Sequence, residues 1–152
     1  MRDSFNEISI AERLKFEFNG ISSPYWIAGF VSGDGSFNIK TTNLRTKRVQ
    51  LSFAVNLHIR EKEVIKGLAQ FFNIKQNSYI YYTASSVAIQ IVNTSDILNI
   101  IVPFLDKYPL EERKRLDFID FKTAADIVKG HLTEKGYKEI LQIKNNMNLN
   151  RK

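Results

Sequence analysis

Polar and apolar residues alternate through residues 49–60, and this is the clearest strand pattern in the chain. The apolar set consists of Val49, Leu51, Phe53, Val55, Leu57 and Ile59. The residues between them are Gln50, Ser52, Ala54, Asn56, His58 and Arg60. Because successive side chains of a strand point to opposite faces, one face is predicted to join a core and the other to stay polar. A shorter alternation over 36–42, with Phe37 and Ile39 on one side, predicts a preceding strand.

Apolar residues at helical spacing predict five helices. They cover about residues 25–32, 61–72, 94–102 and 111–129, with a last helix capped by Thr133. Ser23 is predicted to cap the first helix, with Pro24 in its first turn. Thr94 or Ser95 is predicted to cap the third helix, and Pro103 to end it.

Two more strands are predicted at 78–83 and 86–92, joined by a short turn at Ala84 and Ser85. The order of helices and strands predicts an α+β fold, with a four-stranded antiparallel sheet and helices on one face. Its other face would stay open and carry Ser36, Asn38, Lys40, Gln50, Ser52, Asn56, His58 and Arg60. We expect one domain over 23–150, preceded by an arm or remnant linker at 1–22.

The first helix contains an unusual run, Trp26 to Phe37, with the sequence WIAGFVSGDGSF. Gly29 and Gly33 lie four residues apart inside it, although each costs roughly 1 kcal/mol relative to alanine. Small residues at this spacing let two helix backbones approach closely, and the natural partner is another copy of the chain. In such a dimer two Asp34 carboxylates would meet and could hold Mg²⁺. The pattern alone leaves a second possibility, which it favours, that Asp34 is only a turn residue.

Charge is distributed unevenly along the 152 residues, whose net charge is +6. No acidic residue lies between Ser36 and Arg60, whereas five basic residues do: Lys40, Arg45, Lys47, Arg48 and Arg60. Such a block favours a nucleic acid as partner, with a solvated basic surface as the alternative. The chain has no cysteine, which excludes disulfides and thiolate chemistry. We expect an intracellular protein, since no signal peptide or membrane-length apolar run is present.

The segment Ile27 to Gly35, IAGFVSGDG, resembles the nine-residue signature of the LAGLIDADG homing endonucleases. The resemblance extends over nearly the whole chain beyond residue 20, and is greatest to the second half-domain of the fungal mitochondrial branch. It implies a saddle-shaped dimer, formed with an identical chain or a diverged half. It further implies that the dimer binds a long, roughly palindromic DNA duplex and hydrolyses both strands with Mg²⁺, leaving 5′-phosphate and 3′-hydroxyl ends. Ca²⁺ or Mn²⁺ would substitute in binding or catalysis.

The resemblance also implies roles for individual residues. Asp34 matches the metal-binding acid, with the carbonyl of Gly33 as a further ligand, and Lys114 matches a basic residue near the active site. Arg113 and Arg115 compete with Lys114 for that role, and a solvated basic run is the alternative. The dimer contact would be made by Trp26, Gly29, Phe30 and Gly33.

Two positions depart from the family pattern. Ser32 stands where an acid is common, which we regard as tolerable. Leu57 stands where relatives often have a glutamine that orders water or metal. This second departure predicts either weakened cleavage or a half that depends on its partner.

The open sheet face is expected to lie in the major groove of DNA, where amides and basic side chains read bases or hold phosphates. The predicted contacts are Ser36, Asn38, Lys40, Thr42, Arg45, Lys47, Arg48, Gln50, Ser52, Asn56, His58, Arg60, Tyr79, Tyr81 and Gln90. Two other functions remain open, a DNA-binding module without cleavage and an RNA-binding intron maturase. The resemblance implies a mitochondrial, intron-encoded protein.

Overall fold

The computed structural model describes residues 23–148, apart from residues 44 and 75. The arm predicted at 1–22 therefore lies outside the described residues, as do residues 149–152. Within the described part of the chain, no helix is both long enough and apolar enough to cross a membrane.

Four antiparallel strands form one sheet in the order β1-β2-β4-β3. These strands are β1 (Gly35–Thr41), β2 (Val49–His58), β3 (Ile80–Tyr82) and β4 (Ser86–Ile91). Gly35 pairs with Val55 at one end of the first hairpin, and Thr41 pairs with Val49 at the other. Residues 56–58 therefore extend past the beginning of β1 and pair only with β4. The predicted α+β fold with one antiparallel sheet is confirmed.

Helices pack on one face of this sheet and enclose the core. They are α1 (Pro24–Asp34), α2 (Lys62–Phe71), α3 (Gln76–Tyr79), α4 (Thr94–Asp96), α5 (Val102–Lys107), α6 (Glu112–Lys129) and α7 (Glu134–Asn146). The predicted alternation of β2 is confirmed, since Leu51, Phe53 and Val55 are buried. Phe37 of β1 packs on the ring of Phe53 and on two phenylalanines of α6, which ties the sheet to this helix.

The segment 94–107 differs from the sequence prediction in two ways. Asn93, rather than Thr94 or Ser95, caps the helix by accepting the N–H of Asp96 on its side chain (3.1 Å). The chain then continues helically through a π turn at 97–101 and through Pro103, which was expected to end the helix. The π turn resets the hydrogen-bond register, so that Pro103 lies in the first turn of α5, where a missing N–H costs little.

Two strands are also shorter than the sequence pattern predicts. The second strand ends at His58, because residues 59–61 turn into a 3₁₀ helix whose first N–H, from Arg60, bonds His58 Nδ1 (3.2 Å). The third strand begins at Ile80, because residues 76–79 form the short helix α3. The turn at Ala84 and Ser85 is confirmed by the bond from Thr83 N–H to the carbonyl of Ser86 (2.9 Å).

The free edge of β1 is covered by side chains from the end of the chain. Asn148 Nδ2 donates to the carbonyl of Phe37 (3.0 Å), and Tyr137 O–H donates to the carbonyl of Thr42. These bonds satisfy backbone acceptors that an edge strand leaves open. They also fix α7 beside the sheet, so that the described helices leave its outer face open.

Candidate functional site

Helix α1 divides its residues between the core and the surface. Ile27, Ala28 and Val31 are buried, which fixes this side of the helix against the sheet. On the other side Tyr25 and Trp26 are 73% and 45% exposed. Gly29 and Gly33 are exposed on this second side as well. A helix of this composition would ordinarily be buried all round, so its outer side is an unusual surface for a single chain.

The glycines of α1 and β1 differ in what surrounds them. A Cβ atom added at Gly29 or Gly33 would meet no atom of the described residues within 4 Å. A Cβ at Gly35 would instead lie 2.6 Å from Val31 Cγ1 and 2.8 Å from the Val31 carbonyl oxygen. Of these three positions, only 35 requires glycine for packing against the described residues. The described part of the chain gives no such reason for glycine at 29 or 33.

Asp34 is the last residue of α1, and its side chain is exposed. Gly33 precedes it in the final turn, where backbone carbonyls lack partners inside the helix. Hard oxygen donors of this kind suit Mg²⁺ or Ca²⁺. Among the residues that the structure describes, no group of three acidic or histidine side chains could hold a metal ion. The donors therefore fit a divalent cation only if a second chain or a ligand supplies further oxygens.

Lys114 is the basic residue that reaches the end of α1. Its ammonium group donates to the carbonyl of Gly35 (2.5 Å), directly after Asp34. It lines a cleft of about 530 Å³ together with Ser32, Ser36, Asn38, Arg113, Asp117 and Asn148. Arg115 borders a separate cavity beside Leu116 and Ile119. The geometry therefore separates the three adjacent basic residues and favours Lys114, with Arg113 at the cleft wall.

Asp117 also lines this cleft, although no role was predicted for it from the sequence. It is 6% exposed, and its carboxylate accepts the backbone N–H of Asn148 (3.0 Å). The side-chain amide of Asn148 in turn bonds Phe37. An acid inside the apolar run LDFIDF was the available signal, since buried carboxylates need partners.

Leu57 lies beside the end of α1, because it is two residues beyond Val55, the partner of Gly35. Its side chain is partly buried against the hydrophobic core. It offers no polar atom to the neighbourhood of Asp34. The neighbouring side chains of Asn56 and His58 are exposed on the opposite face.

Most of the residues predicted to contact DNA lie on the outer face of the sheet or at its ends. Cross-strand pairs place side by side the residues Ser36 with Ala54, Asn38 with Ser52, Lys40 with Gln50, Gln90 with Ala54, and Tyr81 with Ala88. Asn56, His58 and Arg60 are exposed near the end that carries Asp34. Lys40, Gln50 and Arg48 line a cavity of about 700 Å³ at the far end.

Two of the residues predicted to contact DNA are less exposed than their sequence pattern predicts. Ser52 faces outward but is only 2% exposed, and its hydroxyl accepts from the amide of Gln90 (3.3 Å). Tyr79 was expected to face outward from a strand, but it lies in α3, packs against the core and donates its hydroxyl to Asp96. That hydrogen bond, with burial and the charge of Asp96, raises the pKa of Tyr79 to about 12. Tyr81 does face outward and is 50% exposed.

The basic loop between β1 and β2 is held by its own hydrogen bonds. Asn43 Oδ1 accepts the N–H groups of Arg45 and Thr46, both at 3.0 Å. The hydroxyl of Thr42 accepts the N–H of Arg48 (2.9 Å), so Thr42 supports the loop. Lys47 Nζ lies 3.9 Å from a carboxylate oxygen of Glu134. The exposed guanidinium groups of Arg45 and Arg48 are thus presented from an ordered backbone.

Comparison with known proteins connects this arrangement to one family of sequences. A family model described as LAGLIDADG endonuclease matches residues 27–125. The chain is 32% identical over 161 residues to the probable intron-encoded endonuclease 2 of Neurospora crassa, which covers 97% of this chain and 34% of that protein. It is 28% identical over 127 residues to the uncharacterized mitochondrial protein RF1 of Saccharomyces cerevisiae, covering 81% of this chain and 25% of RF1.

A solved structure shares the fold. The LAGLIDADG meganuclease I-CpaMI bound to uncleaved DNA superposes with a TM-score of 0.81 and 45% sequence identity. The match covers 88% of this chain and 48% of that one. The chain thus spans about half of this solved relative and about a third or less of the curated ones.

Proposed function

Because the chain belongs to the LAGLIDADG endonuclease family, we propose that it is one half of a site-specific DNA endonuclease. A second copy, or a diverged half, completes the active unit. The observation that carries this proposal is the exposed side of α1, where Gly29 and Gly33 lead to the exposed carboxylate of Asp34. Such a surface fits close contact with a twin helix, which would bring two acids together.

The partner helix would pack on Trp26, Gly29, Phe30 and Gly33. The rings of Trp26 and Phe30 stack with centroids 5.2 Å apart, which makes a flat apolar surface beside the glycines. The absence of Cβ atoms at Gly29 and Gly33 lets two backbones approach closely. A symmetric contact of this kind uses the same patch on both chains.

Double-stranded DNA is the proposed ligand of the outer sheet face. Two sheets joined through α1 would form a saddle whose open faces continue into one another. Arg45, Lys47, Arg48 and Lys40 would contact phosphates at the far end, while Asn38, Gln50, Asn56 and Gln90 would read bases. Counterion release at the basic loop makes affinity fall steeply with salt.

The reaction would be hydrolysis of one phosphodiester on each strand. Water attacks phosphorus, the bond from phosphorus to the 3′ oxygen breaks, and the products carry a 5′-phosphate and a 3′-hydroxyl. Asp34, with the carbonyl of Gly33, would hold a divalent cation, for which Mg²⁺ is the proposed ion and Ca²⁺ or Mn²⁺ the substitutes. When bound, the cation supplies charge stabilisation at the phosphate. Lys114 would stabilise negative charge from its position beside Gly35.

We also propose that the protein is encoded in an intron and located in mitochondria. This proposal is supported by the words intron-encoded and mitochondrial in the names of the two curated relatives. It concerns origin and location only, and it is independent of the chemistry at Asp34.

Selection of a DNA target from a random pool, followed by addition of Mg²⁺, tests the proposal. We expect a long, roughly palindromic target, a dimer on DNA by solution mass, and cleavage of both strands. Asp34→Asn removes the proposed metal-binding charge while keeping the side-chain volume, so it should abolish cleavage and retain binding. Cleavage by Asp34→Asn at the wild-type rate would contradict the site.

A DNA-binding module without cleavage is the second candidate, and Leu57 is the observation that favours it. Its apolar side chain packs against the core beside the end of α1. The resemblance to the family implies a glutamine at this position. Tight target binding without cleavage, together with a gain of cleavage in Leu57→Gln, would support this candidate. Preference for folded intron RNA over duplex DNA would indicate a maturase instead.

A further inference from the structure

Ser32 uses its hydroxyl group twice, once within α1 and once outside it. The hydroxyl donates to the carbonyl of Ala28 one turn earlier (2.8 Å). The same oxygen accepts the backbone N–H of Glu111 (3.0 Å), which is 79 residues further along the chain. The side chain therefore links the end of α1 to the residue before α6.

Helix α6 needs this link because its own sequence supplies no cap. Glu111 occupies the cap position, and its side chain accepts no hydrogen bond from the first turn. The first N–H groups of a helix have no partner inside it, and capping usually stabilises a helix by about 1 kcal/mol. Ser32 satisfies one N–H at this end from a neighbouring helix.

A second contact joins the same two segments. Lys114 lies in the first turn of α6, three residues after Glu111, and bonds the carbonyl of Gly35. The two contacts, Ser32 to Glu111 and Gly35 to Lys114, lie on either side of Gly33 and Asp34 in sequence. We propose that Ser32 is a positioning residue that holds the first turn of α6, and with it the ammonium group of Lys114, beside Asp34. This inference rests on the proposed nuclease function for its kinetic consequences only.

The direction of the effect follows from the geometry. Without the hydroxyl, the start of α6 loses its hydrogen bond to α1. The backbone that carries the Lys114 side chain is then held less firmly beside α1. Misplacement of a reacting group by about 1 Å can cost about 100-fold in rate. Partial loss of position should therefore lower kcat about tenfold, while the exposed DNA-binding face and KM change little.

Two matched pairs of proteins isolate the hydroxyl group. Ser32→Thr keeps it and Ser32→Val removes it at similar volume. The wild type keeps it and Ser32→Ala removes it with the least disturbance. Thr123→Ala is the control for the bond within a helix, because Thr123 donates to the carbonyl of Ile119 (3.0 Å) and is exposed on α6. Lys114→Met supplies the background in which Ser32 should no longer matter.

The first measurement needs no nuclease activity. Acetylation of lysines by a water-soluble ester, followed by mass spectrometry, reports how firmly each ammonium group is held. Lys114 should react several-fold faster in Ser32→Ala and Ser32→Val than in wild type or Ser32→Thr. Lys122 lies on α6 as Lys114 does, and its ammonium group donates to Asp106 of α5 (2.8 Å). It is the internal reference, and its acetylation rate should not change. Equal Lys114 reactivity in all five proteins, Thr123→Ala included, would overturn the inference.

The second measurement is cleavage of the selected target with Mg²⁺. We expect Ser32→Ala to lower kcat about tenfold in the wild-type background and not at all beside Lys114→Met. An equal loss in both backgrounds, or the same loss in Thr123→Ala, would overturn the positioning role. Absence of cleavage by the wild type would contradict the proposed function, and the acetylation rates would still decide the inference about Ser32.

Discussion

Replacing Gly29 with alanine should strengthen the folded chain and weaken its association. The added methyl group meets no atom within 4 Å among residues 23–148 as the structure describes them, so it creates no clash with them. Alanine is favoured over glycine in a helix interior by about 1 kcal/mol. For a chain of this size, that free energy corresponds to a rise in Tm of about 2–4 °C.

The same methyl group would lie between the two helices of the proposed dimer. Overpacking a close contact costs about 1–3 kcal/mol at each site, and a two-fold axis brings two copies of the change. A total of about 2–6 kcal/mol weakens the dimer roughly 30-fold or more, since about 1.4 kcal/mol is tenfold. Gly29→Ala therefore separates chain stability from dimer affinity, because the two change in opposite directions.

Thermal unfolding and sedimentation over a range of protein concentrations measure both quantities. The Tm of the wild type should rise with concentration, because association stabilises the folded state. The Tm of Gly29→Ala should be higher at the lowest concentration and nearly independent of concentration. Gly130→Ala is the matched control, because a methyl group there also meets no atom within 4 Å and lies outside α1. Unchanged dimer affinity, or a lower Tm in the dilute Gly29→Ala protein, would refute the reasoning.

Three further predictions concern other groups near the site and the core. Asp34→Asn should abolish cleavage while the Kd for the selected duplex, measured in Ca²⁺, stays within about threefold, a spread smaller than the ~1.4 kcal/mol that makes a tenfold change. Gly35→Ala should lower the free energy of unfolding by about 1–3 kcal/mol in urea titrations, because the new Cβ would overlap Val31. Tyr79→Phe should remove a pH dependence of stability. The folded-state pKa of Tyr79 is about 12 against an ordinary value of 10.0, so its contribution is complete below pH 10 and is lost as pH rises towards 12.

Each of these predictions has its own contrary result. Loss of both binding and cleavage in Asp34→Asn would assign Asp34 to folding or DNA contact. A Gly35→Ala protein as stable as the wild type would mean that Val31 moves aside at no cost. For Tyr79→Phe, a fall in stability between pH 10 and 12 as large as in wild type would show that other groups cause it.

Some features of the candidate site could be predicted from local pattern. Asp34, Gly29 and Gly33 belong to one contiguous run, and their exposure follows from which side of a short helix its branched residues face. Lys114 could be placed only among three adjacent basic residues. Its bond to Gly35 separates it from Arg115, and that bond spans 79 residues. No local spacing encodes such a distance.

The errors have the same origin. Ser52 fits the alternation of an open face, but it is buried and its hydroxyl accepts a hydrogen bond from Gln90 on β4, 38 residues away. Tyr79 has a side chain that favours strands, but its bond to Asp96 and its packing against the core hold it in a helical turn. Tertiary contacts outweigh strand propensities, whose whole scale spans only about 1 kcal/mol.

Local residue patterns were sufficient to predict the sheet, its two faces and the acid at the end of a glycine-containing helix. Side chains repeat every two residues in a strand and every 3.6 residues in a helix. These periods involve residues close together in sequence, so they can be recognised without knowledge of the fold. The packing of the helices on the sheet, by contrast, sets which residues share the cleft beside Lys114. Ser32, Lys114, Asp117 and Asn148 meet there through hydrogen bonds between segments far apart in sequence. Such contacts depend on how the helices pack on the sheet, and local residue spacing does not predict that packing.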